Sequence, residues 1–203
     1  MKDYEKQRIA LRYWLQGRGF TAALEALDFA ETHHTGLRKD GVTPEIAHPI
    51  QVAAFVRTQI LSLRHPQETL CAALLHDVRE DHGVGDGEIR DRWGDLVADS
   101  VDCVTKEFRG QRRDDVVLFE RIGANPIASV VKPADRINNQ HSMIGVFGPE
   151  KVAAYMGETR QLFLPMIKRA RRLYPDQELA YENSKLVLTT QLTMLDALLA
   201  AWM

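Results

Sequence analysis

The sequence predicts an all-α fold, a single domain over residues 1–203 with about eight to ten helices. Apolar residues recur at intervals of three and four along the whole chain, which is the period of an amphipathic helix. No segment alternates apolar and polar residues between turn signals, as a strand would. With 203 residues, of which 45% are hydrophobic, the chain is long enough to bury one full-sized core.

Helix-start signals place the elements of the first half of the chain. Thr21 follows a glycine as an N-cap candidate, and Pro49 and Pro66 each suit a first helical turn. The glycine-rich stretch HGVGDGE after Asp81 predicts a loop. The predicted helices of this half span residues 3–16, 21–34, 48–63, 66–81, 87–94 and 95–108.

Pro133 complicates the helices of the second half. A proline in a helix interior costs about 3 kcal/mol. We therefore expect a kink between Ile127 and Lys132, or a helix that restarts at Lys132. The polar segment RGQRRDD is expected to be a mobile loop, and the apolar C-terminal helix is expected either to close the core or to form a homodimer face. The predicted helices of this half span residues 114–124, 125–140, 150–174 and 177–202.

Composition excludes several classes of protein. The net charge of -2 gives no overall attraction to nucleic acid or to an anionic membrane. Cys71 and Cys103 are too few for a disulfide framework and fit a reducing cytoplasm. The N-terminus lacks the apolar run of a signal peptide, and no apolar run reaches membrane-spanning length. We expect a soluble, cytoplasmic protein without nucleic-acid or membrane partners.

The stretch AALLHDVRED sets four ionisable side chains directly against an apolar run. At about 100° per residue, His76, Asp77, Glu80 and Asp81 share one face of the predicted helix. Charge beside a core is costly unless it is paired, hydrogen-bonded or bound to a metal. The simpler interpretation is a capped helix end whose carboxylates face solvent.

Two further motifs favour a metal site. TPEIAHPIQVA contributes His48 at a helix start, and VVKPADRINNQ places Asp135 on a polar helix face. Together with His76 and Asp77 they form a mixed imidazole and carboxylate set, which suits Mn²⁺ or Fe²⁺ with open positions for water. Cysteine-rich structural zinc is excluded because two distant cysteines cannot build such a site. With the neighbouring Glu-Asp pair to accept a proton or to orient water, the pattern is typical of a phosphohydrolase.

Five motifs in one order, LRKDG, HPIQVA, AALLHDVRED, VTK and KPADRINN, resemble the HD superfamily of metal-dependent phosphohydrolases. Within it they resemble the hydrolase domain of Rel/SpoT proteins over about residues 20–173. The absence of room for a synthetase domain before Met203 favours the small alarmone hydrolases. The resemblance implies an all-helical domain with one Mn²⁺ per chain that removes the 3′-pyrophosphate from guanosine tetra- and pentaphosphate (ppGpp and pppGpp). The products are GDP or GTP and pyrophosphate.

The resemblance also implies a role for each matching position. The implied metal ligands are His48, His76, Asp77 and Asp135. The implied catalytic pair is Glu80 and Asp81. The implied substrate-binding residues are Arg38, Lys39, Asn139, Ser142, Lys151 and Tyr155. Taken alone, the basic doublet would be two exposed loop cations, and the Lys-Tyr pair would be ordinary helix surface.

Four positions depart from the family pattern. Glu45 stands near an expected aromatic ring, Asn138 replaces the usual His, His82 the usual Thr and Pro133 the usual Leu. A carboxylate beside a polyphosphate is expected to weaken or reshape substrate binding. Two alternatives therefore stay open: hydrolysis of another nucleotide, such as removal of the 2′-phosphate of NADPH, and a non-catalytic nucleotide-binding regulator. The retained Glu-Asp pair argues against the regulator.

Overall fold

The computed structural model describes residues 3–202, so the outermost bounds of the predicted domain, residues 1 and 203, lie outside the described part. The architecture is helical, which confirms the predicted all-α fold. The helices are α1 (Asp3–Arg18), α2 (Thr21–His33), α3 (Ala47–Arg57), α4 (Pro66–Leu75), α5 (Val78–His82), α6 (Asp86–Val104), α7 (Asp115–Gly123), α8 (Ala128–Ser142), α9 (Pro149–Glu158), α10 (Leu164–Leu173) and α11 (Glu178–Trp202). Shorter elements are 3₁₀ turns at Ile60–Ser62 and Pro175–Gln177, a π-helical turn at Thr159–Phe163, and strands β1 (Glu107–Phe108) and β2 (Gln111–Arg112).

Helix α4 lies at the centre of the fold because its sequence is apolar on every side. All residues of 69–75 are buried, and the helix packs against α2, α3, α6 and α8. It ends there, so the predicted single helix to Asp81 is wrong, and His76 and Asp77 form a turn before α5. The His76 ring explains the break. Its Nδ1–H donates to the Ala73 carbonyl oxygen (2.8 Å), the acceptor that the Asp77 amide would use in a continuing helix.

Helix α8 carries Pro133 without interruption. The helix is continuous over its full length, so the predicted restart at Lys132 is wrong. Its start is stabilised by the Asn125 side chain, whose Oδ1 accepts hydrogen bonds from the amides of Ile127 (2.9 Å) and Ala128 (2.8 Å). Pro133 removes only the amide that would donate to the Ser129 carbonyl oxygen, and the helix continues on both sides of it.

Some element boundaries also differ from prediction. Thr21 is the first residue of α2 rather than its N-cap, and the first-turn amide of Ala22 donates instead to Gln67 Oε1 (3.2 Å). The predicted helix over 95–108 is too long, because α6 ends at Val104. The residues that follow pair as the antiparallel strands β1 and β2. The expected mobile loop therefore forms part of a hairpin, which turns at Arg109 (φ 51°) and Gly110 (φ 77°). Gly94 (φ 80°) divides α6, in agreement with the predicted boundary between two helices.

The C-terminal helix α11 closes the core, which is one of its two predicted roles. It packs against α8, and its Tyr181 is 1% exposed. The Tyr181 hydroxyl is hydrogen-bonded to Ser129 and to Gln177, at 2.9 Å each. The homodimer face stays a prediction. Across residues 3–202, no helix has both the length and the hydropathy needed to cross a bilayer.

Candidate metal and nucleotide site

Two histidines meet where the start of α3 approaches the end of α4. The Nε2 atoms of His48 and His76 are 3.0 Å apart. Each ring is held from its other side, by Asn138 Oδ1 at 2.6 Å from His48 Nδ1 and by the Ala73 carbonyl at 2.8 Å from His76 Nδ1. The Asn138 amide donates to Gln51 Oε1 (2.8 Å), which directs its oxygen to His48. Both Nδ1 atoms therefore carry a proton, and the two Nε2 atoms face one another.

Two carboxylates complete this group, which we call the first cluster (His48, His76, Asp77 and Asp135). Asp77 Oδ2 lies 3.1 Å from Nε2 of His76 and 3.4 Å from Nε2 of His48. Asp135 Oδ1 lies 3.2 Å from Nε2 of His48 and 3.8 Å from Nε2 of His76. Lys132 Nζ contacts the other oxygen of Asp135 at 3.0 Å. The four predicted metal ligands are thus brought together, whereas Glu80 and Asp81 on α5 remain exposed to solvent.

The donor set of the first cluster fits a divalent cation. Burial opposes a charge on His48, yet the carboxylates of Asp135 and Asp77 raise its pKa to about 9, so the cluster favours positive charge at this point. Burial likewise opposes ionised carboxylates, but His76 lowers the pKa of Asp77 and Lys132 lowers that of Asp135. Both therefore stay anionic, as metal ligands must be. His48, His76 and Asp77 each offer one ligand atom, and these three atoms lie within 4.8 Å of one another.

The predicted catalytic pair lies on α5, just beyond the turn that carries Asp77. Glu80 Oε2 accepts a hydrogen bond from the Lys106 backbone amide (2.9 Å), so its carboxylate is anchored to the segment after α6. Burial, followed by the negative charges of Asp77, Glu80 and Glu45, raises the pKa of Asp81 to about 6. A carboxyl group with a pKa near neutrality can accept a proton from water and release it again.

Three of the predicted substrate-binding residues, Arg38, Asn139 and Ser142, meet near the end of α8, and Lys39 lies nearby. Arg38 Nη2 donates to Asn139 Oδ1 (3.3 Å) and to Ser142 Oγ (3.0 Å). The Asn139 side-chain amide also donates to Asp135 of the first cluster. This bond links Arg38 and Asn139 to the predicted metal ligands. Lys39 Nζ lies 5.7 Å from the centre of the Phe147 ring. The basic doublet is therefore part of the site and not a pair of isolated loop cations.

The other predicted pair, Lys151 and Tyr155 on α9, separates in space. Tyr155 lines the same cavity as the first cluster, with its ring 4.6 Å from the Arg136 guanidinium. Lys151 Nζ lies 3.9 Å above the centre of the Phe147 ring and is not among the described residues that line the cavity. Position thus supports a substrate contact for Tyr155 and places Lys151 behind an aromatic side chain.

The predicted site residues, apart from His76 and Lys151, open on one cavity of about 980 Å³, a size that suits a small-molecule ligand. His76 is buried behind the wall, at 2% exposure. The basic residues of the lining are Arg38, Lys39, Lys106, Lys132 and Arg136. The acidic residues of the lining are Asp40, Glu45, Asp77, Glu80, Asp81, Asp135 and Glu158. Carboxylates around a cation, with further cations opposite, suit a metal ion and a phosphate-bearing ligand.

Sequence reasoning missed several residues of the cavity as site residues, among them Phe147, Lys106 and His34. Phe147 lies in a loop without a pattern of its own, and Lys106 was marked only by the VTK motif. His34 was missed because its polar neighbours belong to separate segments. Burial lowers the pKa of His34 to about 3, so its imidazole is neutral.

A protein-family model described as an HD domain matches residues 26–115. Residues 26–115 of the chain therefore resemble an HD domain. The chain is 34% identical to a probable GTP pyrophosphokinase of Mycobacterium leprae, over 72% of the chain and 18% of that protein. It is 31% identical to a guanosine-3′,5′-bis(diphosphate) 3′-pyrophosphohydrolase of Vibrio cholerae, over 69% of the chain and 20% of that protein. The chain spans about a fifth of the length of these curated relatives.

The chain matches a solved structure with a TM-score of 0.62. That structure is of a metazoan orthologue of SpoT, and the orthologue hydrolyzes ppGpp and plays a role in starvation responses. The match covers 80% of this chain and 93% of that one, at 20% sequence identity. It shows a shared fold. Together with the sequence relatives, it confirms the predicted resemblance to Rel/SpoT-type hydrolases.

Proposed function

We propose that the chain is a metal-dependent 3′-pyrophosphohydrolase that converts ppGpp and pppGpp to GDP and GTP, with release of pyrophosphate. One observation carries the proposal: the first cluster and the Glu80–Asp81 pair open on the same cavity as the wall built by Arg38 and Asn139. A metal, a proton acceptor and a phosphate-binding wall are the parts that such a hydrolysis needs. Relatives with this activity, such as the Vibrio cholerae protein, support the choice of substrate.

We propose one Mn²⁺ per chain, held by His48, His76, Asp77 and Asp135. When bound, the ion offsets phosphate charge and acidifies water. The protein keeps the ligands in the form that the ion requires, because each histidine donates Nδ1–H to a fixed oxygen and each aspartate is held anionic by neighbouring positive charge.

Asp81 is the group that takes the proton of the attacking water, and Glu80 orients the water from its anchored position. The water oxygen forms a bond to the phosphorus attached to the ribose 3′-oxygen, and the bond between that phosphorus and the 3′-oxygen breaks. The leaving 3′-oxygen takes up a proton from solvent, so the products are the nucleotide with a free 3′-hydroxyl and pyrophosphate. Asp81 releases the proton of the attacking water to solvent, which restores the balance of protons.

The basic wall holds the nucleotide while the 3′-pyrophosphate faces the first cluster. Arg38 is already oriented by Asn139 and Ser142, so its planar guanidinium can stack on the base or bind phosphate oxygens with little further ordering. Lys39 adds a point charge at the rim. We propose a cytoplasmic enzyme with a nucleotide as its partner, in keeping with the net charge of -2 and the two free cysteines.

The test is incubation of the purified chain with ppGpp and Mn²⁺, and in parallel with NADPH, followed by ion-exchange separation of the products. We expect GDP and pyrophosphate from ppGpp, with loss of turnover in Asp77→Ala and Glu80→Ala. Asp91→Ala, which removes an exposed carboxylate outside the site, is expected to retain turnover. If only NADPH were hydrolysed, with release of orthophosphate, NADPH would replace ppGpp as the proposed substrate. Binding of ppGpp without turnover of either nucleotide would favour the regulator.

A further inference from the structure

A second group of metal-ligating side chains lies in the same cavity, outside the first cluster. His34 follows α2, Glu45 precedes α3, and His82 is the last residue of α5. His34 Nδ1 and His82 Nε2 are 3.0 Å apart, and Glu45 Oε2 lies 3.9 Å from each of these nitrogens. All three side chains line the cavity. None of them belongs to the set of metal ligands that the family resemblance implies.

We propose that His34, Glu45 and His82 bind a second divalent transition-metal ion. Two imidazoles and one carboxylate are a ligand set used for Zn²⁺ with an open fourth position, and for Fe²⁺. Metal–nitrogen bonds of about 2.0–2.1 Å place tetrahedral ligand atoms about 3.3 Å apart. The present separations of 3.0 and 3.9 Å lie on either side of that value, so a small shift of one flexible carboxylate completes the geometry.

The first cluster provides an internal standard for this geometry. Its two imidazole nitrogens, on His48 and His76, are also 3.0 Å apart, with carboxylate oxygens between 3.1 and 3.8 Å away. The second group repeats the close approach of two ring nitrogens beside a carboxylate. Two such arrangements on one cavity wall indicate two cation sites.

The burial of His34 confines the interactions of its ring to Nδ1. The residue is 2% exposed, and its Nε2 has no hydrogen-bond partner within residues 3–202. The ring is therefore stabilised through Nδ1, where a cation would add to the contact with His82. This nitrogen faces His82 and Glu45.

The loop that carries Glu45 is shaped to bring its carboxylate to the two rings. The Glu45 amide donates to the Gly36 carbonyl oxygen (2.9 Å), which ties the loop to the segment after His34. A Cβ atom on Gly36 would lie 3.4 Å from Glu45 Oε2, so the glycine leaves room for the carboxylate. Without a cation, the Glu45 carboxylate would repel an anionic ligand in the cavity. A bound ion would instead attract such a ligand. That the ion contacts substrate phosphate rests on the proposed function, whereas the binding of the metal does not.

The test counts metal ions directly. The full chain is dialysed against Mn²⁺ and, separately, Zn²⁺, freed of unbound ion, and analysed for metal per chain by inductively coupled plasma mass spectrometry. His82→Thr and Glu45→Gln remove ligands of the second site, and Asp77→Asn removes one of the first cluster. His65→Gln removes a histidine outside both groups and is the matched control. Circular dichroism establishes that each variant is folded.

With at least one of the two metals, we expect two ions per chain in the wild type and in His65→Gln. We expect one ion in His82→Thr, in Glu45→Gln and in Asp77→Asn. The inference would be overturned if the wild type bound one ion and Asp77→Asn bound none. It would also be overturned if Glu45→Gln bound as many ions per chain as the wild type. The Glu45→Gln result decides the question if His82→Thr fails to fold. A wild type that binds two ions but does not hydrolyse ppGpp would contradict the proposed function and leave the second site standing. A wild type that binds one ion and hydrolyses ppGpp fully would contradict only the second site.

Discussion

Replacement of Asn138 by alanine tests how strongly the first cluster depends on the residues behind its ligands. Asn138 Oδ1 accepts the Nδ1–H of His48 at 2.6 Å, and Gln51 fixes the direction of the amide at 2.8 Å. In Asn138→Ala, the Nδ1–H of a side chain that is 4% exposed loses its acceptor. The ring is then free to rotate or to move its proton to Nε2, and either change withdraws the lone pair that faces the ion.

The expected size of the effect follows from this contact. A buried donor left without an acceptor costs about 1–3 kcal/mol. Loss of the partner behind a metal-ligating histidine weakens metal binding by about 10–100-fold. We therefore expect the Kd of Asn138→Ala for Mn²⁺ to rise by about 10–100-fold. Gln51→Ala acts one hydrogen bond further away and is expected to raise the Kd by only a few-fold.

Isothermal titration of Mn²⁺ into each protein measures this difference. A Glu45→Gln background keeps the proposed second site from contributing. Asn183→Ala, an exposed asparagine on α11, is the control and is expected to bind like its parent. A folded Asn138→Ala protein whose Kd stays within about twofold of the parent would refute the reasoning, because the orientation of His48 would then not depend on Asn138.

Three further outcomes are expected. Asp102→Asn lowers the free energy of unfolding by about 1–2 kcal/mol at neutral pH, because it loses hydrogen bonds from Arg113 (2.7 Å) and Arg121 (2.9 Å). Burial opposes ionisation of Asp102, but the two arginines hold its pKa below the usual range. Its stabilisation is therefore present above the unfolded pKa of about 4 and is lost as pH falls through the folded pKa. Gly94→Ala, at φ 80° and ψ 175°, lowers that free energy by about 1–3 kcal/mol, and urea denaturation measures both variants. Arg38→Ala raises KM for ppGpp by about tenfold or more with a smaller change in kcat, as steady-state kinetics will show.

Each of these outcomes has a control and a contradicting result. A stability difference for Asp102→Asn that does not change with pH would contradict the ion-pair explanation, and exposed Asp91→Asn is the control. An unchanged urea midpoint for Gly94→Ala would show that alanine is not strained there. Gly17→Ala, within α1 and with open space around it, is expected to be neutral or stabilising. A loss confined to kcat would move Arg38 from substrate binding to the chemical step.

Local pattern predicted the helices well because helix periodicity is a property of near neighbours in the chain. The central apolar segment, the division at Gly94 and the long C-terminal helix all follow from it. It failed where a side chain competes with the backbone. The His76 ring takes the Ala73 carbonyl and ends α4. Local pattern also failed at α8, which passes through Pro133 without restarting.

The candidate site divides in the same way. Residue type and spacing were enough to single out His48, His76, Asp77 and Asp135, because few residue types hold a divalent ion and they stood in recognisable motifs. Their approach to within 4 Å was not predictable from spacing, since α3, the α4–α5 turn and α8 meet only through packing on α4.

The sequence by itself determined the helical class and the chemistry of the first cluster, because period and ligand type are carried by residues close together in the chain. The tertiary structure alone decided which distant groups support or extend that cluster. Asn138 lies behind His48, Lys151 lies on Phe147 outside the cavity lining, and Glu45 meets two histidines from other segments. Such contacts depend on how helices and loops pack, and no local period encodes them.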